Sequence, residues 1–294
     1  MPLSLPHRVA EHYPPLSARE GESQRDWLRG TGEKECRYRI ARPRLEFYGE
    51  TVIAYALITL AAVLLPAWPA LAGEPPVFKE LFPSNGVPAG WTVTRWNDLK
   101  LPADTGVVWR VEGGVLHGSE PRGTWLISER EYSDFVLEFE WCLGERGNSG
   151  VALRAPMMGD PAFDGLELQM ADPRYMPPES PMAPAELSGA LYRAVAPKVQ
   201  VFKPESWNRY RITCFGPRVH VVLNGVTILD INLDQQNTPT KRHDGSNAPP
   251  LKDRPRRGHI GFQELSRGGT HVQIRGAKLF ELHTEAELKA VLSP

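Results

Sequence analysis

Two runs of this 294-residue chain, GNSGVALR and GLELQMAD, gather the side chains best able to do chemistry. Strand alternation puts Leu166, Leu168 and Met170 on one side of the second run and Glu167 and Gln169 on the other. In the first run Val151 and Leu153 oppose a side shared by Asn148, Gly150, Ala152 and Arg154. A face carrying Arg154, Glu167 and Gln169 is not a core face: it is either solvated sheet or the floor of a polar cleft. As a cleft it offers a carboxylate base in Glu167, a permanent cation in Arg154, and amides in Gln169 and Asn148 that match hydroxyl groups. Asp172, at the strand end before Pro173, is read either as a turn-maker or as a proton donor or metal ligand. Arg154 itself is open to two uses, steadying a developing anion or pairing with Glu167 across the sheet.

More distant candidates each carry a plainer alternative. Tyr192 is an acid, a stacking platform or a core tyrosine; Lys203 is a second cation or a surface lysine. Trp207 stacks on a ligand ring or, as the preferred reading, packs between sheets, and Asn208 bonds backbone at a strand start. The histidines show no metal-ligand spacing, so a divalent ion on Glu167 or Asp172 has no support beyond the carboxylates themselves, and no dinucleotide fingerprint is present. Lys241, Arg242, Lys252, Arg254, Arg256 and Arg257 crowd one loop without interleaved aromatics, which reads as a charged surface loop rather than a reader of acidic glycans.

The elements that must position these groups are strands. Formal net charge is −1, which gives no reason to expect nucleic acid as a partner. Proline and glycine are frequent (28 and 26) and amphipathic helices scarce, so the chain reads as turn-rich and mostly β. Phe135 to Trp141 alternates as a half-buried strand, Gly113-Gly114 and Asn224-Gly225 mark hairpins, and Gly189 to Tyr192 reads as a further strand. A proline-rich excursion follows Asp172, and Thr284 with Glu287 opens a short capped helix over 284–294. Such short, regularly spaced strands predict an all-β, two-sheet antiparallel jelly roll over residues 74–283. Three cysteines are too few for a disulfide framework; Cys142 and Cys214 read as buried thiols in preference to a bridge. Residues 1–50 read as a disordered or mis-started extension. Residues 51–72, with arginines before an apolar run and Ala70-Leu71-Ala72 after it, read as a signal peptide more than as a membrane anchor, because the run falls short of the ~20 residues of a span. The expected chain is therefore exported, periplasmic or extracellular, touching membrane only through an uncleaved leader.

Taken in order, GTWLISEREYSDFVLEFEW, GNSGVALR, GLELQMAD, SGALY, VFKPESWNRYRI, VVLNG and GHIGFQ resemble the bacterial 3-keto-disaccharide hydrolase family, described as 3-keto-glucoside-1,2-lyases and 3-keto-2-hydroxy-glucal hydratases. The resemblance runs over about residues 76 to 282 and implies a concanavalin-like jelly-roll sandwich. It also implies a substrate sugar oxidised at carbon 3 by a separate dehydrogenase, so that a base can take the carbon-2 proton and the glycosidic oxygen can leave, after which water adds. On this reading Glu167 is the base, Arg154 the anion stabiliser and Asp172 a candidate proton donor, with Asn148, Gln169, Tyr192, Lys203, Trp207 and Gln263 lining the cleft. Jelly-roll glucanases of the retaining type carry E-x-D-x-x-E here; this chain has Gln169 for the middle acid and Asp172 for the last, which argues against the paired carboxylates of retaining hydrolysis. Many relatives have a histidine shortly after the equivalent of Gln263, where this chain has Glu264, Leu265 and Ser266, and the family's F-R-N becomes Ile274-Arg275-Gly276. That loss leaves a non-catalytic, lectin-like carbohydrate-binding module as the alternative.

Overall fold

The computed structural model describes residues 76–268 and 271–292; the expected extension and leader lie outside them. Among the described residues no helix is long and apolar enough to cross a membrane.

Two antiparallel sheets make the fold. The smaller orders its strands Asp98–Pro102, Trp91–Arg95, Thr124–Tyr132, Gly258–Glu264, Asn148–Ala155 and Leu166–Ala171. The larger runs from Val226–Asn232 through Arg218–Leu223, Asn208–Phe215, Phe135–Cys142, Gln273–Glu281 and Val115–His117 to Arg110–Glu112, with Lys79–Glu80 paired alongside Gln273–Glu281. This is the jelly roll expected from strand spacing. The inward set of Phe135–Cys142 (Phe135, Leu137, Phe139 and Trp141) meets Val151, Leu153, Leu166, Leu168, Met170 and Phe262 of the smaller sheet in one apolar core. Phe139 and Phe262 meet edge to face across the sheets with centroids 5.3 Å apart, a favoured aromatic geometry.

Local signals fall where the residue types demand. Asn224 and Gly225 both adopt positive φ (52° and 84°), as a two-residue hairpin requires, and Gly113-Gly114 (56° and 78°) turns the Arg110–Glu112 and Val115–His117 pair. Thr284 and Glu287 form the expected capping box, with Glu287 N donating to Thr284 Oγ1 and Thr284 N to Glu287 Oε2. The helix they open, Glu285–Leu292, packs Leu288 and Val291 on Val136, on the outer side of the larger sheet. Cys214 is a free, buried thiol, so it forms no bridge with Cys142.

One expected strand is not one. Residues 189–192 make only isolated bridges through Leu191, but their main chain runs beside the edge strand Leu166–Ala171: Gln169 N donates to Ala190 O, Gly189 N to Gln169 O and Tyr192 N to Glu167 O. An irregular segment thus covers an edge that would otherwise expose unpaired peptide groups, and it brings Tyr192 beside Glu167.

Candidate active site

The core uses one face of the smaller sheet, and the opposite face carries the site. Register places Glu167, Ala152, Gly261 and Ile127 in one row across four strands, and Gln169, Gly150, Gln263 and Trp125 in the next. Three of the four middle positions, Gly150, Ala152 and Gly261, are small, and the fourth is Gln263. Small residues there keep the floor low between the polar Glu167–Gln169 edge and Trp125, and neighbouring side chains lie in that trough: the Glu167 carboxyl group over Gly150 and Ile127 Cδ1 over Gly261.

Glu167 lies along this trough. A Cβ at Gly150 would stand 2.1 Å from Glu167 Oε1 and 2.8 Å from its Cδ, so the carboxyl group rests on the space that glycine provides. Its side chain is 4% exposed, and no described residue donates a hydrogen bond to it. Burial, reinforced by the nearby Asp160, holds its pKa well above the usual carboxylate range. Gln169, also buried, turns its carbonyl oxygen to Met170 N at 3.2 Å. Asn148, one row further along, has a buried Oδ1 with no partner. Gln263 is buried in its row, its main-chain oxygen accepting from Ser149 Oγ at 2.6 Å.

Two groups missed in the sequence, Asp160 and His243, complete the wall together with the expected Tyr192. Asp160 caps the short helix Pro161–Asp164, its Oδ1 accepting from Ala162 N at 3.0 Å, and burial raises its pKa to about 6 despite Arg242 and Arg254 nearby. The Asp160-Pro161 pair is a helix-start signal legible in the sequence; its closeness to Glu167 is not. His243, on the hairpin formed by Thr240–Lys241 and Asn247–Ala248, packs against Phe163 (5.3 Å), Tyr192 (6.0 Å) and Trp96 (6.2 Å). Burial raises the Tyr192 phenol far above its ordinary pKa, with the Glu167 and Asp160 charges adding to the effect, so its hydroxyl keeps its proton.

Four candidates stand elsewhere. Arg154 does not face Glu167: its φ is 53°, in the left-handed region, and this break in alternation, at a register shift of the neighbouring strand, turns the side chain away. Fully buried, it donates to Ser133 O (2.6 Å), Gly216 O (2.8 Å) and Asp134 Oδ1 (2.9 Å), tying the link between the two sheets at Ser133-Asp134 to a turn of the larger sheet. Asp172 takes the turn-making role, capping Arg174 N at 2.8 Å and pairing with the Arg174 guanidinium through both oxygens, which leaves neither for a substrate or metal. Trp207 sits neither in the core nor in the trough; the Arg275 guanidinium lies 4.0 Å from its ring centroid, and Arg275 is paired with Glu140 on the outer side of the larger sheet. Lys203 is exposed, and it is its main chain that is held, by Asn208 in the strand-start role expected of that asparagine. Among the described residues no group of three or more His, Cys, Asp or Glu side chains could hold a metal ion.

A jelly roll whose second face carries a buried carboxyl group, amides and an aromatic wall fits the carbohydrate-active class that the family match gives. The chain belongs to the 3-keto-alpha-glucoside-1,2-lyase-like domain family, whose model matches residues 77–279. Among solved structures it is similar to a Parabacteroides distasonis protein provisionally described as a glycosyl hydrolase, at 26% identity and a TM-score of 0.56, over 70% of this chain and 100% of that one. A second protein of that organism with the same description shares the fold, at 22% identity and a TM-score of 0.50, over 66% of this chain and 89% of that one. No curated protein matches the chain.

Proposed function

We propose that this protein cleaves 3-keto-glycosides by elimination and rehydration, with Glu167 as the base. The observation that carries the reading is the Glu167 carboxyl group itself: buried, without a hydrogen-bond donor among the described residues, and seated over Gly150 in the trough. A carboxylate so placed is a stronger base than one in water, and it is matched to a proton that is acidic only because a ketone stands beside it. The carbon-2 proton passes to Glu167, and the C–H electrons move into the enolate of the carbon-3 ketone. That enolate re-forms the carbonyl as the carbon-1–oxygen bond breaks, leaving a carbon-1–carbon-2 double bond and an alcohol. Water then adds at carbon 1 and a proton returns to carbon 2, so the net change is hydrolysis with no redox step. With Arg154 withdrawn to the sheet edge, the enolate oxygen needs neutral donors, and the Tyr192 hydroxyl and the amides of Gln169 and Gln263 are the available ones. The ketone is supplied by a separate sugar 3-dehydrogenase, and export through residues 51–72 places the reaction outside the cytoplasm.

Direct hydrolysis of an unoxidised glycoside is the second reading, favoured by Asp160 as another carboxyl group near Glu167 with a raised pKa. One assay separates the two. The purified protein is expected to release aglycone from a 3-keto-glucoside and to leave the parent glucoside intact, and Glu167→Gln is expected to lower release by at least ~100-fold, as loss of a positioned base does. Turnover of the unoxidised glucoside would favour hydrolysis through the carboxyl pair. Sugar binding without turnover of either would make the trough a lectin-like site, and an active Glu167→Gln protein would remove Glu167 from the mechanism.

A further inference from the structure

We propose that a pocket at one end of the trough, bounded by Arg146, Arg174 and Arg267, is an anion subsite that takes a carboxylate or sulfate carried on the glycoside's leaving group. This rests on the reading of the trough as a sugar site. The ladder that forms the trough continues past its strand ends, with Leu265 N donating to Asn148 O and then Arg267 N to Arg146 O. Arg146 is therefore four residues from Gly150, about 13 Å along an extended chain, with the unpartnered Asn148 Oδ1 between them. The pocket has a volume of about 370 Å3 and is closed on its other side by Met176, Pro177 and Pro178.

Its charges are not all spoken for. Arg174 faces three carboxylates, Asp172, Glu205 and, at 3.9 Å, Glu145. Arg146 and Arg267 pair with no carboxylate among the described residues. Arg267 is held flat, 4.2 Å from the Tyr175 ring centroid, while Arg122 donates to the Tyr175 hydroxyl at 2.9 Å. Arg267 Nη1 also donates a long bond to Tyr175 O (3.4 Å), so the stacked guanidinium keeps its remaining planar donors for a two-oxygen acceptor, and it has already lost the rotamer freedom that binding would otherwise cost. Arg146 adopts φ of 59°, a conformation that a non-glycine residue holds only when its surroundings enforce it. Two guanidinium groups without a carboxylate partner among the described residues, that of Arg267 stacked in place, beside an apolar wall suit an acidic sugar ring, charged on one edge and hydrocarbon on its face.

The test is calorimetric binding of the full chain to cellobiose, to glucosyl-(1→4)-glucuronate (the same disaccharide with a carboxylate on the reducing-end ring, which is the leaving group), to a cellobiose sulfated on that ring and to inorganic sulfate. At low salt an acidic disaccharide should bind about tenfold or more tightly than cellobiose, the scale of one good charge-assisted contact. That preference should collapse at about 0.5 M salt, and in Arg146→Asn/Arg267→Gln, while cellobiose binding stays unchanged. Arg146→Asn alone, which suits left-handed backbone, should lose at least half of the preference and guards against a folding defect in the double variant. Whichever anionic disaccharide binds more tightly identifies the group read. Equal binding of acidic and neutral disaccharides, a preference that survives in both variants, or inorganic sulfate binding as tightly as the acidic sugars would each overturn the subsite. Because binding needs no turnover, that failure would leave the lyase reading standing, and an inactive enzyme that keeps the acidic preference would fail only the lyase reading.

Discussion

Gly150 and Glu167 form one functional unit. A methyl group at position 150 would overlap Glu167 Oε1, Cδ and Cγ, all within 2.9 Å. These atoms belong to the far end of a side chain, so Gly150→Ala should be accommodated by swinging the carboxyl group aside rather than by moving the strand. Its expected signature is a loss of about 100-fold in kcat/KM, the scale of an ångström-size misplacement, with the melting temperature nearly unchanged. Undiminished turnover would mean that the carboxyl group does not act from the position it occupies. The pair also marks what was legible at this scale. Period-2 alternation identified Glu167 and Gln169 as one face, because that part of the sheet is regular, while Gln263 came to the same face only through the family resemblance. Alternation misassigned Arg154, since a single left-handed residue reverses a side chain and nothing in the letters GVALRAP announces it. Asp172 was legible only as two alternatives, and its neighbour Arg174 decided between them.

Among the elements, the basic stretch over 240–257 differs most from its expected character. It is a brace rather than a solvated loop. Arg254 is buried and donates to Pro249 O, Ala162 O, Gly165 O and Thr240 Oγ1, while Arg242 pairs with Asp164 and lies over Phe163. The brace thus holds the Pro161–Asp164 helix, and with it Asp160, against the wall of the site. Charge counting in the sequence sees only cations; it cannot see that buried carbonyl groups across the fold are their partners. Arg254→Met would leave several buried acceptors unpaired, at a cost of about 2–4 kcal/mol, or roughly 5–10 °C in melting temperature for a domain of this size. Amide exchange should rise at residues 160–165 and 240–248 while the core strands stay protected. Unchanged exchange in those two segments would show that they are held by something else. Strands and hairpins needed no such partners to be read: the Asn224-Gly225 turn and the Phe135–Cys142 alternation are local properties of the chain.

For the whole molecule, a sandwich with one apolar interface can carry a polar face that costs it stability, and Glu167 is where that cost is concentrated. The jelly roll was readable because its core repeats every second residue. The trough was half readable, since its floor follows the same period while its wall, with Asp160, Tyr192 and His243, comes from three segments brought together only by folding. The cost has a definite sign with pH. A carboxyl group whose folded-state pKa lies above its unfolded value favours the folded state fully only below the unfolded value, near 4.3 for Glu, and that contribution is lost as pH rises through the folded pKa. Burial and Asp160 place Glu167 in this class. Glu138 has the opposite sign: burial raises its pKa, but Arg209, Arg211 and Lys278 outweigh that and hold it below the ordinary range, so its contribution is lost on acidification. A melting curve of the native protein alone would mix such terms, whereas comparison with Glu167→Gln at each pH cancels every group the variant keeps. The variant should therefore melt above the native protein at pH 7 to 8. Each pKa unit by which folding raises Glu167 corresponds to about 1.4 kcal/mol, or roughly 3–6 °C at this size, and the gap should close toward pH 4. A variant that melts below the native protein at neutral pH would mean that Glu167 is held ionised by a stabilising partner, and its role as an unpaired base would fall with that result.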